Sequence, residues 1–287
     1  MTILGALLVL AALADIFHTL WHPRGFGTLA RLIFAAVWRV SRSYTRSRRS
    51  TELAGPIGLL FTGITWATLL VVGFALVYLP HLPDGFHFDP ELVGDARTGP
   101  VTAVYVSAVA LATLGLGDVV PAHPLLRVAV PLQALLGFVL LSALISWVLQ
   151  LYPALTRRRA LARRLSTMAE VGVTGDLGTM EPLSAVQLLE GVRESLSVIE
   201  MDLLQYGESY YFREKHADLS FAVALPHLTE LIGSAGRSPS REVRVAAAML
   251  EHARNALLGL VAREFLRQDL TLEETMAALL ADHQQDA

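Results

Sequence analysis

The chain has 287 residues, 53% of them apolar and 17% charged, with a formal net charge of −3 and a mean hydropathy of +0.49. Those values are high for a wholly soluble protein, and no nucleic-acid partner is expected. There is no cysteine, which excludes a disulfide framework and a thiolate metal site. Three long apolar stretches lie in residues 1–150, while most of the charge follows Tyr152, so a membrane half precedes a soluble one. The cations are nearly all arginine, and Lys215 is the only lysine.

Residues 3–20 are apolar apart from Asp15 and His18 near their end. This is just enough to cross a hydrocarbon core, which takes ~20 helical residues. A cleaved signal peptide is the rival reading, because Ala12-Leu13-Ala14 resembles a cleavage site. No Lys or Arg precedes the run, however, and a strongly basic segment follows it: Arg24, Arg31, Arg39, Arg42, Arg46, Arg48 and Arg49. A retained first helix is therefore expected over 1–22, with a basic cytoplasmic or interfacial segment over 23–52.

Within that segment, residues 28–44 are amphipathic. Leu29, Leu32, Ile33, Ala36, Val37 and Val40 fall at helical spacing, as in a helix lying in the membrane interface. Arg39, Arg42, Arg46 and Arg49 have the spacing of a voltage sensor. Ser41, Ser43, Thr45 and Ser47 lie between them, too polar for a helix in lipid, so a solvated basic face is the better reading.

Residues 56–79 form a second span, running outward from the basic segment. The loop at 81–99 carries Asp84, Asp89, Glu91 and Asp95 against Arg97, a poverty in cations that suits an external loop. Residues 125–151 form the third span and return to a second basic cluster, Arg157, Arg158, Arg159, Arg163 and Arg164. Both clusters place the N-terminus outside and the C-terminal part in the cytoplasm. The second cluster reads as a topological anchor or a site for anionic lipid headgroups.

Between those spans, residues 100–112 are apolar but too short to cross. Both flanks are external, so the segment must dip in and return. Irregular backbone at that depth is tolerated only inside protein or beside a watery cavity. A short helix with Pro100 in its first turn and an extended return strand meets that condition.

The return strand reads Thr113-Leu114-Gly115-Leu116-Gly117-Asp118. It resembles the selectivity filter of the pore-loop potassium-channel family, usually Thr-Val-Gly-Tyr-Gly-Asp. In this family, the reference case for the mechanism, backbone carbonyls replace the water shell of the ion. The resemblance covers roughly residues 57–151 and implies a prokaryotic two-span pore module over 53–152 with an extra N-terminal helix. It assigns ion sites to Thr113, Leu114, Gly115, Leu116 and Gly117, the outer mouth to Asp118, and an inner-helix hinge to Gly137, twenty positions after Gly117. Gly137 reads equally as a close-packing site. The Thr113 hydroxyl would complete the innermost site, and the pore-helix C-terminus near Ala112 would face the central cavity. Ser142, Ser146 and Gln150 recur every four residues and either face the pore or bond back to their own helix.

Three departures from the usual pattern stand out. Leu116 replaces the tyrosine whose hydroxyl ties the filter to its surroundings, and leucine cannot hydrogen-bond. Ala112 replaces a common hydroxyl residue. Val109 stands where some members pair a glutamate with the filter aspartate, so Asp118 needs another partner or stays solvated.

Residues 153–287 read as a helical domain, with breaks near 172–182, 206–208, 233–239 and 268–271. Ser184 with Gln187, and Thr271 with Glu274, have capping-box spacing, and Ser238-Pro239 reads as a cap before a first-turn proline. Residues 172–178 read as a loop. His216, His227, His252 and His283 are too irregularly spaced for a metal motif, and Tyr206, Tyr210, Tyr211 and Phe212 read as core.

The sequence therefore predicts an all-α membrane protein with three transmembrane helices, a re-entrant pore helix and filter, and a cytoplasmic helical domain. The expected function is passive potassium conduction by a homotetramer in a prokaryotic inner membrane, with lipids as further partners. No catalytic residue, no cofactor and no metal beyond filter potassium is expected. A weakly selective cation channel, or a membrane-anchored scaffold with a vestigial pore, is the alternative.

Overall fold

The computed structural model describes residues 1–22, 25–43, 53–92 and 94–283. Arg24, Arg46, Arg48 and Arg49 lie outside that set, so half of the voltage-sensor spacing does too. Three helices are long and apolar enough to cross a membrane: α1 (Thr2–Leu20), α3 (Ala54–Tyr78, continued by a 3-10 turn to His81) and α5 (Leu126–Glu170). Between them come α2 (Thr28–Ser43), the short apolar helix α4 (Gly99–Leu111), and two three-residue strands, β1 (Phe86–Phe88) and β2 (Val119–Pro121). After α5 come α6 (Val173–Asp176), α7 (Pro182–Gln205), α8 (Phe221–Gly236), α9 (Arg241–Val261) and α10 (Leu272–His283). The chain divides into two units, Met1–Ala36 with Ile57–Gln150, and Val37–Pro56 with Leu151–Ala287.

In the first unit, α1 packs against α3 through small residues. A Cβ on Gly5 would lie 2.4 Å from the Gly73 carbonyl oxygen, an approach that only glycine permits. The polar end of α1 also has a use. The Asp15 carboxylate accepts hydrogen bonds from the backbone amides of Leu29 (2.8 Å) and Ala30 (3.3 Å) in the first turn of α2. Its second oxygen also accepts from Trp66 Nε1 of α3 at 2.9 Å. One acid thus caps α2 and ties it to two apolar helices. The turn is closed further by Thr19, whose hydroxyl accepts from the Gly27 amide.

The apolar face of α2 differs from the expected stripe. Ala30, Phe34 and Trp38 are its buried residues, while Leu32 and Val40 are 63% and 58% exposed. The helix therefore has one apolar face against protein and a second left open.

The acidic loop is more ordered than expected. Its β1 pairs antiparallel with β2, with Phe86 opposite Pro121 and Phe88 opposite Val119. Phe86 also joins Tyr78, Val106 and Leu126 in a buried cluster. The strand leaving residues 113–118 is thereby held to the segment following α3.

The third span does not stop at Leu151. Helix α5 continues for 45 residues, through Pro131 and Pro153. In the second unit its Leu151, Leu155, Ala162 and Leu165 are buried. Helices α7, α8 and α9 supply most of the remaining core. The buried positions of α7 are Ala185, Leu189, Val192, Leu196, Ile199 and Leu203, one stripe at helical spacing.

All four expected breaks are present, but residues 172–178 hold α6 and the start of a 3-10 turn instead of a plain loop. The Thr271–Glu274 box is reciprocal: Thr271 N donates to Glu274 Oε2 at 2.8 Å, and Glu274 N to Thr271 Oγ1 at 3.3 Å. The other two caps are displaced. Glu181 caps α7 by accepting from the Leu183 and Ser184 amides, and Ser240 caps α9. In each case Pro at or just before the first turn set the helix start, and the nearest side chain able to accept took the cap.

The second basic cluster is not a free lipid-facing patch. Arg157 pairs with Asp202 (2.6 Å), Arg159 with Glu214 (2.7 Å), and Arg163 with Asp218. Arg158 is largely enclosed, its side chain 11% exposed, and it donates to the carbonyls of Ser209 and Phe212 at 2.8 Å each, with Glu214 3.7 Å away. Replacing an enclosed cation that serves two carbonyls leaves them without that donor. Arg158→Met should lower the stability of the full chain by about 3 kcal/mol, whereas Arg163→Ala, at an exposed pair, should cost under about 1 kcal/mol. Thermal unfolding of the detergent-solubilised protein followed by circular dichroism checks both.

Candidate functional site

Helix α4 positions the candidate site. Gly99 and Pro100 open it, and Thr102, Ala103, Val106, Ser107 and Ala110 form its buried face. Val101, Val104 and Tyr105 lie on the exposed side. The chain leaves α4 without a break in hydrogen bonding: Thr113 N donates to Ala110 O at 3.0 Å, and Leu114 N to Val109 O at 3.1 Å. The first residues of the candidate filter are thus a direct extension of the helix end.

Along the filter the backbone alternates. Thr113, Gly115 and Gly117 have φ of 57°, 56° and 84°, while Leu114 and Leu116 are not among the positive-φ residues. Alternating left- and right-handed residues turn successive carbonyls toward the same side of a strand, which no regular helix or sheet does. Glycine fits this at 115 and 117 because the left-handed region penalises a Cβ. No atom would come within 4 Å of a Cβ added at either position, so the demand is conformational, not one of space. The positive φ of Thr113 was not expected. It is the kind of local strain that collects at functional sites.

The side chains point into open surroundings in the single chain, with Leu114 63% and Leu116 60% exposed. Asp118 does have a partner. The Tyr105 hydroxyl donates to its Oδ2 at 2.5 Å, and its backbone carbonyl accepts from the Asp89 amide at 2.8 Å. With Val109 unable to pair, a tyrosine one helical turn earlier takes that place. Tyr105 was missed because nothing in its spacing marks it until the filter is folded back along α4.

Gly137 of α5 lies against the end of α4. A Cβ there would fall 1.8 Å from the Leu111 carbonyl oxygen. The helix continues unbroken through this position, so the glycine has a static packing role whether or not it also bends. Of the three polar residues farther along α5, Ser142 bonds back to Phe138 O at 2.9 Å, and Ser142, Ser146 and Gln150 are all exposed in the single chain.

The second unit presents a buried polar cluster instead of an open site. Asp282 accepts from Trp38 Nε1 (3.1 Å) and from the Tyr210 hydroxyl (2.6 Å), while Arg213 donates to Asp282 O and lies 4.5 Å from the Trp38 ring. Tyr210, Tyr211 and Phe212 are buried, as a core reading requires. Among the described residues, no group of three or more His, Asp or Glu side chains is arranged to hold a metal.

Residues 64–152, from within α3 to the middle of α5, match the family model described as "Ion channel". The uncharacterized membrane protein YdjJ of Bacillus subtilis (strain 168) is 25% identical over 175 residues, which cover 59% of this chain and 49% of that protein. The chain spans about half the length of that curated relative. No solved structure matches the chain.

The Gly137 contact gives a direct test. Gly137→Ala forces a methyl group onto a backbone oxygen that cannot move without shifting the end of α4. It should destabilise the protein by about 1–3 kcal/mol, read from thermal unfolding of the detergent-solubilised chain. Gly63→Ala in α3 serves as a control, since its added methyl would meet only the end of the Leu144 side chain, at 3.3 Å. It should leave the unfolding temperature near the wild-type value.

Proposed function

We propose that the chain forms a homotetrameric, potassium-selective channel in a prokaryotic inner membrane, with Thr113, Leu114, Gly115 and Leu116 supplying the ion-coordinating carbonyls. The observation that carries this reading is the alternating backbone of residues 113–117 in the sequence Thr-Leu-Gly-Leu-Gly-Asp. A single strand cannot surround an ion. Four copies about one axis give every carbonyl three symmetry mates, and closed symmetry is the rule for such assemblies. The exposure of Leu114 and Leu116 in the single chain is what a subunit missing its neighbours would present.

The parts follow from electrostatics and geometry. A dehydrated cation exchanges water oxygens for carbonyl oxygens, and neighbouring sites keep binding weak enough for exit. The C-terminus of α4 aims the partial negative charge of its last carbonyls at the inner cavity. Asp118 lies at the outer mouth, and the Thr113 hydroxyl completes the innermost site. Gly137 acts as a hinge of α5 during gating. The N-terminus is external and the C-terminal helical domain cytoplasmic, as the charge pattern supports. Conduction makes and breaks no covalent bond, so the reading calls for no catalytic residue or cofactor.

Leu116 favours a second reading, a weakly selective cation channel. It brings no hydroxyl to the filter wall, and rigidity must come from elsewhere.

Flux into proteoliposomes separates the readings. Under a potassium gradient the wild type should pass potassium at least tenfold better than sodium, measured by reversal potential in mixed ions. Equal permeabilities would leave only the weakly selective channel. Gly115→Ala should abolish flux, because alanine disfavours the left-handed backbone. Tyr105→Phe should keep the current and reduce the potassium preference, the hydroxyl on Asp118 being the tie it removes.

A further inference from the structure

Behind α4, away from the filter, lies a buried polar chain that the apolar reading of these helices does not require. Tyr78 of α3, Ser107 of α4 and Gln133 of α5 are each 0% exposed. The Tyr78 hydroxyl donates to Gln133 Oε1 at 2.8 Å. Gln133 Nε2 donates to Ser107 O at 3.0 Å and to Ser107 Oγ at 2.7 Å. The Ser107 hydroxyl donates in turn to Val71 O of α3 at 2.8 Å. Each donor has an acceptor, and the Val71 carbonyl can only accept, which fixes the direction of the whole chain.

The chain joins three helices at one point on α4. Ser107 lies on the buried face of that helix, and Tyr105, two residues earlier, lies on the other. Ser107 is held to the two long helices, while Tyr105 is held to Asp118 at the far end of the filter. Together these contacts fix how far α4 can rotate about its own axis. Rotation matters because residues 113 and 114 bond directly to its last turn. Backbone atoms lie about 2.3 Å from a helix axis, so a turn of about 10° moves them by about 0.4 Å. A functional constellation tolerates displacements of only about 0.5 Å.

We propose that Gln133 is a specificity-determining positioning residue: through Tyr78 and Ser107 it locks the rotation of α4 and thereby sets the spacing of the carbonyls at residues 113–116. This rests on the potassium-selective reading above. It relocates the anchor that Leu116 cannot provide from the filter wall to the far side of the pore helix.

The test compares the wild type with Tyr78→Phe, Ser107→Ala and Gln133→Leu, all as full chains in lipid bilayers. Reversal potential under bi-ionic potassium and sodium is the readout, because it does not depend on how many channels are present. Tyr78→Phe removes one oxygen and should lower the potassium-to-sodium permeability ratio about threefold. Gln133→Leu breaks all three side-chain links and should lower it about tenfold. Adding Tyr78→Phe to Gln133→Leu should produce no further loss, since the two act through one chain. Unchanged ratios in conducting variants overturn the inference alone. Variants that no longer assemble, Tyr78→Phe included, assign the network to folding and overturn it as well. A wild type that does not discriminate between the ions refutes the functional reading first, before any variant is compared.

Discussion

Water is absent from the core of a bilayer, and a peptide group there must find its partner within the protein. On the channel reading proposed above, the non-helical strand at 113–118 is the exception to that rule. The strand starts as an extension of α4, because Thr113 and Leu114 donate back into its last turn. It ends tied to the segment after α3, through the Asp89 amide and the β1–β2 pairing. Between those two anchorages lies the stretch whose backbone alternates in φ. The remaining features of the unit keep α4 in place. Gly137 lets α5 reach the Leu111 carbonyl, and Gln133 bonds to Ser107.

Much of this was legible in the sequence, because length and hydropathy fix a membrane span with few residues of context. The bounds of α1, α2 and α3 lie within a few residues of those read from the apolar runs. The alternating backbone at 115 and 117 was legible because its constraint is local: glycines at alternate positions are a property of the backbone itself. What escaped reading were contacts between residues far apart in sequence. Asp15 looked like a blemish at the end of an apolar run, and its role as a cap is defined only by amides fourteen and fifteen positions later. Gln133 is one polar residue in a long apolar span, and its meaning depends on Ser107 and Tyr78 arriving beside it. The strand pairing of the acidic loop was hidden because three residues carry no usable periodicity.

The second unit corrects a habit of reading charge. A run of arginines after a membrane span suggests lipid contact, and four of these instead face carboxylates on later segments of the chain. The acids that neutralise them, Asp202, Glu214 and Asp218, are spread over the following sixty-odd residues, so no local window balances the charge. The cluster at Trp38, Tyr210, Arg213 and Asp282 shows the same economy. It buries the end of α2 and the end of α10 in one polar knot.

The backbone of residues 113–117 departs from the usual handedness of the chain. Three residues there occupy a conformation that is the mirror image of the one L-amino acids prefer. Two of them are glycine, which has no hand, and nothing crowds the place a side chain would take. The third is Thr113, which is chiral and must bear the mismatch, at about 1–2 kcal/mol. The chain therefore uses an achiral residue where a side chain has nothing to add. It accepts strain at the one position where a hydroxyl group accompanies the backbone. Seen this way, the motif is less a pattern of residue types than a record of where, along five residues, the chain gives up its chirality and where it keeps it.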